Sequence, residues 1–277
     1  MNFSQLQEAA VLFLENSPLN HVPEEDAIRP ELAGMRFFET PIFGVAAADS
    51  PLFWELQKPG VVHPESRLPE DWLPGAKCVI SFFLPFTEQV KRTNCINRET
   101  ASDEWLHARI EGQRLLNALG EHLCAKLEEA GERAVFPTTH GDFRMITPLI
   151  SNWSERHVAY VCGLGTFGLS KGLITKKGMA GRFGSVVTTA ELPVTEHDYG
   201  DPFAYCTLCG KCQRNCPVNA IDVKKGVAEG KDQAVCAPFV RASYLPPHGP
   251  NGIVRYGCGK CQVNVPCESG IPGKRSR

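Results

Sequence analysis

The residues whose types and spacing could do chemistry crowd near one end of the chain. Cys206-Thr-Leu-Cys209-Gly-Lys-Cys212-Gln-Arg-Asn-Cys216-Pro217 has the spacing C-x2-C-x2-C-x3-C-P. That spacing suits a cubane iron–sulfur cluster. Three closely spaced thiolates wrap one corner, and the fourth Cys, followed by Pro, turns away to a second cluster. Zinc is the rival, because Cys206-x2-Cys209 alone would suit a zinc ribbon. Zinc ribbons keep two CxxC pairs well apart, and a third Cys two residues on, with the Cys-Pro step, fits that poorly.

Two packed cubanes need eight thiolates. Cys236, Cys258, Cys261 and Cys267 complete eight from Cys206 onward, out of twelve in the chain. In two-cluster proteins the ligand groups cross over. The expected sets are Cys206, Cys209, Cys212 and Cys267 for one cluster, and Cys216, Cys236, Cys258 and Cys261 for the other. Cys261 and Cys267 are separated by five residues where the standard run has three, and Pro precedes Cys267 instead of following it. Two readings stay open: a bulge in that segment, or a Cys267 that is not a ligand.

The elements that must position these thiols are read from patterning. The 277 residues suffice for one large domain plus a small module. A hydrophobic content of 43% describes a globular chain, and a net charge of −2 makes no electrostatic case for nucleic acid. The N-terminus has neither a basic start nor a long apolar run, so no signal peptide is expected. No stretch approaches a membrane span. Cytoplasm is the expected compartment, with cysteines serving as metal ligands rather than disulfides.

Helical periodicity predicts a helix over 4–15 and another from a Ser102 N-cap to about Ala130, stopped by Gly131. Lys77–Leu84 is a nearly unbroken apolar run, as expected of a central strand covered on both faces. Shorter strands are expected over 41–49, 134–137 and 182–192, with a helix over 154–161. Cys78, Cys124 and Cys162 read as small packed residues and Cys95 as structural or free. His107 and His122 read as satisfied histidines. Gly163, Gly165 and Gly168 match G-x-G-x-x-G, but a helix precedes them where a dinucleotide fold needs a strand. They read instead as places where backbone approaches something closely.

Four blocks together resemble the epoxyqueuosine reductase family and, more distantly, the corrinoid reductive dehalogenases. They are 74–85, Gly163-Leu-Gly-Thr-Phe-Gly168, 184–192 and the eight-Cys stretch. The resemblance implies an α+β protein: a nitroreductase-like α/β domain over 1–197, followed by a two-[4Fe–4S] ferredoxin-like module over 198–277. It implies a base-off cobalamin between the two, with Gly165, Thr166, Gly168, Gly184 and Ser185 as close-approach residues. It also implies an external electron donor of ferredoxin or flavodoxin type.

Two departures qualify the implied activity. Ungapped alignment on Glu155-Arg156 and Gly163-Leu-Gly165 puts Leu149 where those enzymes carry their proton-donating Asp. The chain also ends ten residues after Cys267, without the helical-repeat extension of the larger enzymes, so no tRNA surface is expected. The expected function is a corrinoid-dependent reductase of a small substrate, with Tyr160, His140 and Asp142 as candidate proton donors. The alternative is an electron-transfer protein without corrinoid, serving a partner enzyme. A third reading has flavin in the α/β domain.

Overall fold

The computed structural model describes residues 2–197, 199–242 and 250–273. Helix α1 (Phe3–Asn16) opens on a capping box between Asn2 and Gln5, and lays Leu6, Ala10 and Leu14 along one buried face. Strand β1 (Ile42–Ala47) leads through short helices α2 (Pro51–Glu55) and α3 (Pro69–Trp72) to β2 (Cys78–Pro85). Helix α4 (Glu88–Thr93) and the long α5 (Asp103–Glu129) follow. The Ser102 side chain accepts from the Trp105 amide at the start of α5, as the N-cap pattern requires.

Beyond α5 come β3 (Ala134–Val135), a small hairpin of β4 (Met145–Thr147) and β5 (Ile150–Ser151), and α6 (Glu155–Val161). A second hairpin, β6 (Gly165–Phe167) with β7 (Leu173–Thr175), precedes β8 (Gly181–Thr188). The cysteine-rich region adds α7 (Lys211–Asn215), α8 (Gly226–Glu229) and α9 (Gln233–Ala242).

The main sheet runs β1-β2-β8-β3, antiparallel throughout, with Ser81 opposite Ser185. Every residue of β2 is buried. Alternation sorts its side chains. Cys78, Ile80, Phe82 and Leu84 pack with α1 and the Leu115, Leu119, Leu123 and Leu127 stripe of α5. Val79 points the other way, toward Val158, Val161 and Trp153 around α6. The sheet is thus a layer between two sets of helices.

The expected strand over 182–192 stops at Thr188, whose hydroxyl bonds to the Arg133 oxygen and accepts from the Ala190 amide, turning the chain. The glycine run, read as a place of close backbone approach, forms the β6–β7 hairpin. Gly165 is required there, because a Cβ would fall on the Ile174 carbonyl of the partner strand. Among the described residues no helix is long and apolar enough to cross a membrane.

Candidate iron–sulfur site

The β6–β7 hairpin is the platform on which the cysteines sit. Leu169, Ile174 and Met179 from the hairpin region form one apolar cluster with Cys212, Ile221 and Val265, and Cys206, Cys216, Cys261 and Cys267 pack at its edge. Backbone bonds fix the join. The Phe167 amide donates to the Pro202 oxygen at 2.7 Å, and the Tyr205 amide to Thr166 Oγ1 at 2.9 Å. The Met179 amide donates to the Cys267 oxygen at 3.0 Å.

Cys206, Cys209, Cys212 and Cys267 line a single cavity, together with Gly168, Leu169, Ile174 and Val265. The turn through Cys206–Cys212 needs left-handed backbone at Leu208 and Gly210 (φ 50 and 67). The long Cys261–Cys267 gap contains another left-handed residue, Asn264 (φ 52), and Cys267 beyond it lines the cavity. The remaining four thiols are also neighbours. Cys236 feels Cys261 and Cys216, and Cys258 feels Cys261 and Cys236. The two sets adjoin, since the thiol of Cys261 acts on that of Cys212.

This donor set fits cubane clusters. Each thiolate of a cubane binds its own iron, so the four sulfurs surround a volume rather than a point. Among the described residues no three His, Cys, Asp or Glu side chains are grouped closely enough to hold a single ion. Burial pushes Cys212 and Cys267 up to about 12 and Cys258 up to about 11, so metal must displace protons to bind. Two sulfurs already accept backbone bonds: Cys206 Sγ from the Leu169 amide at 3.4 Å, and Cys216 Sγ from the Ala220 amide at 3.2 Å. Such bonds favour the more negative, reduced state of a bound cluster.

The second set of thiols abuts α6, beside two cations to which the sequence reading gave no role. Arg156 lies near Cys261 and Cys236 and donates to the Lys171 oxygen at 2.8 Å. Lys231 lies beside Cys236 and donates to the Ser170 oxygen at 3.0 Å. Arg156 is exposed, and desolvation lowers its pKa. Arg156 is a lone Arg in a short helix, and no spacing rule would have marked it.

Beside Arg156, Glu155 turns toward the sheet. Its carboxylate accepts from Ser185 Oγ at 2.7 Å and Thr138 Oγ1 at 2.9 Å, and Ser185 Oγ in turn accepts from Trp153 Nε1 at 2.9 Å. Burial pushes Glu155 up to about 7, against the pull of those hydroxyls.

The other expected site residues lie elsewhere. His140 and Asp142 are exposed, His140 edge-on to Trp72 and Asp142 paired with Arg67 at 2.8 Å. Tyr160, half-buried, stacks on Tyr199. Gly165, Thr166, Gly168, Gly184 and Ser185 are all buried. The space a Cβ would need at Gly165 is taken by Ile174 backbone, and at Gly184 by the Phe82 ring. Thr166 and Ser185 spend their hydroxyls on Tyr205 and Glu155. Gly168 alone of the five lines the cysteine cavity. Packed this way, Gly165, Thr166, Gly184 and Ser185 meet the chain's own backbone and side chains.

The model of a 4Fe–4S binding domain matches residues 203–222. This stretch is a [4Fe–4S] binding domain. The chain is accordingly an iron–sulfur redox protein. An epoxyqueuosine reductase bound to an epoxyqueuosine-modified tRNA-Tyr stem loop is 18% identical, over 98% of this chain and 68% of that one, with a TM-score of 0.52. A catabolic reductive dehalogenase is 16% identical, over 83% of this chain and 30% of that one, also with a TM-score of 0.52. The epoxyqueuosine reductase of Bacillus subtilis is 19% identical over 98% and 68% of the two chains, with a TM-score of 0.49. The matched region is less than a third of the dehalogenase. No curated protein matches the chain in sequence. At such identities the likeness is one of fold, and activity has to be argued from the site.

Proposed function

We propose that this chain is an iron–sulfur reductase holding two [4Fe–4S] clusters, one in each set of four thiols, with a nitroreductase-like α/β domain over 1–197 and the cluster module over 198–277. The clusters supply one-electron storage at two adjacent points. Cys206, Cys209, Cys212 and Cys267 hold the outer one, and Cys216, Cys236, Cys258 and Cys261 the inner one against α6.

The observation that carries the reading as a reductase is the pairing, at the inner end, of cationic and proton-holding side chains on adjacent residues. Arg156, with Lys171 and Lys231 near it, favours added negative charge beside the inner thiols. Glu155 holds its proton to about pH 7, the range in which a carboxyl can donate and recover one. A carrier that moves only electrons needs no such acid. The substrate in this reading is a small molecule held against α6, beside Arg156.

Leu149, half exposed, cannot transfer a proton, so epoxyqueuosine is not the substrate we propose. The fold likeness favours cobalamin as the group between inner cluster and substrate. The packing of the glycine block favours the alternative, an electron-transfer protein that serves a partner enzyme without a corrinoid.

Anaerobic purification with iron, acid-labile sulfide, cobalt and flavin counted on one sample tests these readings. About eight iron per chain is expected. About four iron or fewer would overturn the two-cluster reading. Cobalt near one per chain after growth with cobalamin would establish the corrinoid reductase. Eight iron with neither cobalt nor turnover of any small molecule would leave the electron carrier.

A further inference from the structure

Where the segment before Cys258 packs on α5, two arginines meet and no acid joins them. A Cβ at Gly257 would lie 3.0 Å from Arg109 Cδ, and one at Gly259 would fall on the Trp105 ring. The Arg109 guanidinium lies over the Tyr256 ring, 4.1 Å from its centroid. Arg182, at the start of β8, reaches α5 from the sheet. Its Nη1 donates to the Arg109 oxygen at 3.2 Å, and its Nη2 donates to Gln113 Oε1. Arg109, Gln113, Arg182 and Tyr256 are all half-buried.

Neither arginine forms an ion pair among the described residues. The helix neighbours of Arg109 at three and four residues are Trp105, Leu106, Gly112 and Gln113, none of them acidic. The acids of this part of α5 already hold other cations: Asp103 and Glu104 pair with Arg29, and Glu111 with Arg255. Opposite Arg182 on β2 stands Leu84.

Burial, with the like charges of Arg109 and Arg156, pulls Arg182 down to about 9. Cys261 and Cys236 act on Arg156, whereas the groups that act on Arg182 are Arg109, Tyr256 and Arg156. A guanidinium held out of water beside its like costs free energy that a counter-charge would recover. Its planar fork of donors matches the edge of a carboxylate or a phosphate. Among the described residues the Arg109 guanidinium donates no hydrogen bond, so its fork is open to a ligand.

We propose that Arg109 and Arg182 form an oxyanion site, and that the small molecule reduced by this chain carries the carboxylate or phosphate group that they hold. The site rests on the arginine geometry, and its use for a substrate rests on the reductase reading above. Tyr256 stands two residues before Cys258, so a ligand anchored there adjoins the inner cysteine set. Holding it makes and breaks no bond.

The test is calorimetric titration of the anaerobic holoprotein with benzoate, with its uncharged analogue benzamide, and with inorganic phosphate. Melting temperature and iron content are followed on the same samples. The variants are Arg109→Met, Arg182→Met and Arg182→Lys, with Arg92→Met, exposed on α4, as the control. Benzoate or phosphate should bind the parent and the control alike and raise their melting temperatures. Affinity should fall at least tenfold in both Met variants, and benzamide should not bind. Should Arg182→Met fail to fold, Arg182→Lys keeps the charge but loses the fork, and weakened anion binding in it supports the site equally. Tighter binding of benzoate assigns a carboxylate ligand, and tighter binding of phosphate a phosphate.

No heat and no stabilisation from either anion, in protein with its full iron, overturns the site and leaves the two-cluster reading standing. Binding that is equal in the parent and the Met variants, or equal for benzoate and benzamide, overturns it as well. Anion binding that persists in protein short of iron keeps the site and strikes the two-cluster reading instead.

Discussion

At the residue scale, the ligand proposal is tested most directly at Cys209. It sits in the middle of the tight turn and lines the cavity with three other thiols. Cys209→Ala should lose about one cluster's iron, leaving roughly half the parent content. Iron and sulfide unchanged in that variant would remove Cys209 from the ligand set. Glu155 gives a second test, through pH. Its acid form is favoured in the folded chain, which therefore holds the proton more tightly than the unfolded chain does. The stability it contributes is fully present below the ordinary carboxyl value of 4.5 and falls as pH rises toward about 7. Each unit of such a shift is worth about 1.4 kcal/mol. Glu155→Gln should flatten that fall and leave the protein more stable than the parent at pH 8. Denaturation curves between pH 5.5 and 8 would show it, and an unaltered slope would mean that Glu155 is not the buried acid described.

At the element scale, the β6–β7 hairpin decides where the last cysteine lies. Gly178 follows β7 with φ 78, and a Cβ there would fall on the Glu268 carbonyl, one residue beyond Cys267. Left-handed backbone alone costs a residue with a Cβ about 1–2 kcal/mol. Gly178→Ala should therefore lower stability by at least that much and also cut iron occupancy, since the segment carrying Cys267 has to move. A variant with full iron and unchanged melting would show that the hairpin does not set this segment. The same logic explains why β2 tolerates no gap: Phe82 fills the place of the missing side chain at Gly184. Phe82→Ala should cost about 3–5 kcal/mol in denaturant unfolding.

At the scale of the whole molecule, the cysteine-rich region and the α/β region are held together by buried polar groups. Arg255 and Glu111 are both buried and paired, with Arg255 Nε 2.7 Å from Glu111 Oε1, and Arg255 also donates to the Asp26 oxygen at 2.7 Å. Lys260, between Cys258 and Cys261, donates to the Asn94 backbone oxygen at 2.8 Å and to its side-chain oxygen at 3.0 Å. A buried pair adds little over an apolar one, but stranding one partner is expensive. Glu111→Ala should destabilise by about 3–5 kcal/mol, and the double change E111M/R255M should recover most of that loss. If the single change proves neutral, the pair is not the clamp between the two regions.

The sequence by itself determined the chemistry of the cysteine run, because a cluster demands ligand types and local spacings that a short stretch can encode. It also determined α1, α5, α6 and β2, whose periodicities are local consequences of burying one face or both. Tertiary structure decided whether Cys267 joins the set to which spacing assigned it: it reaches the cavity of Cys206, Cys209 and Cys212 past the left-handed Asn264 and against Gly178. It alone brought Arg156 and Lys231 to the second set, because charges drawn from separate segments carry no spacing in the sequence. The glycine block shows the limit most plainly. Its residues announced a close approach, and only the packed fold could say that, apart from Gly168 on the cysteine cavity, the thing approached is the chain's own β7 and β2.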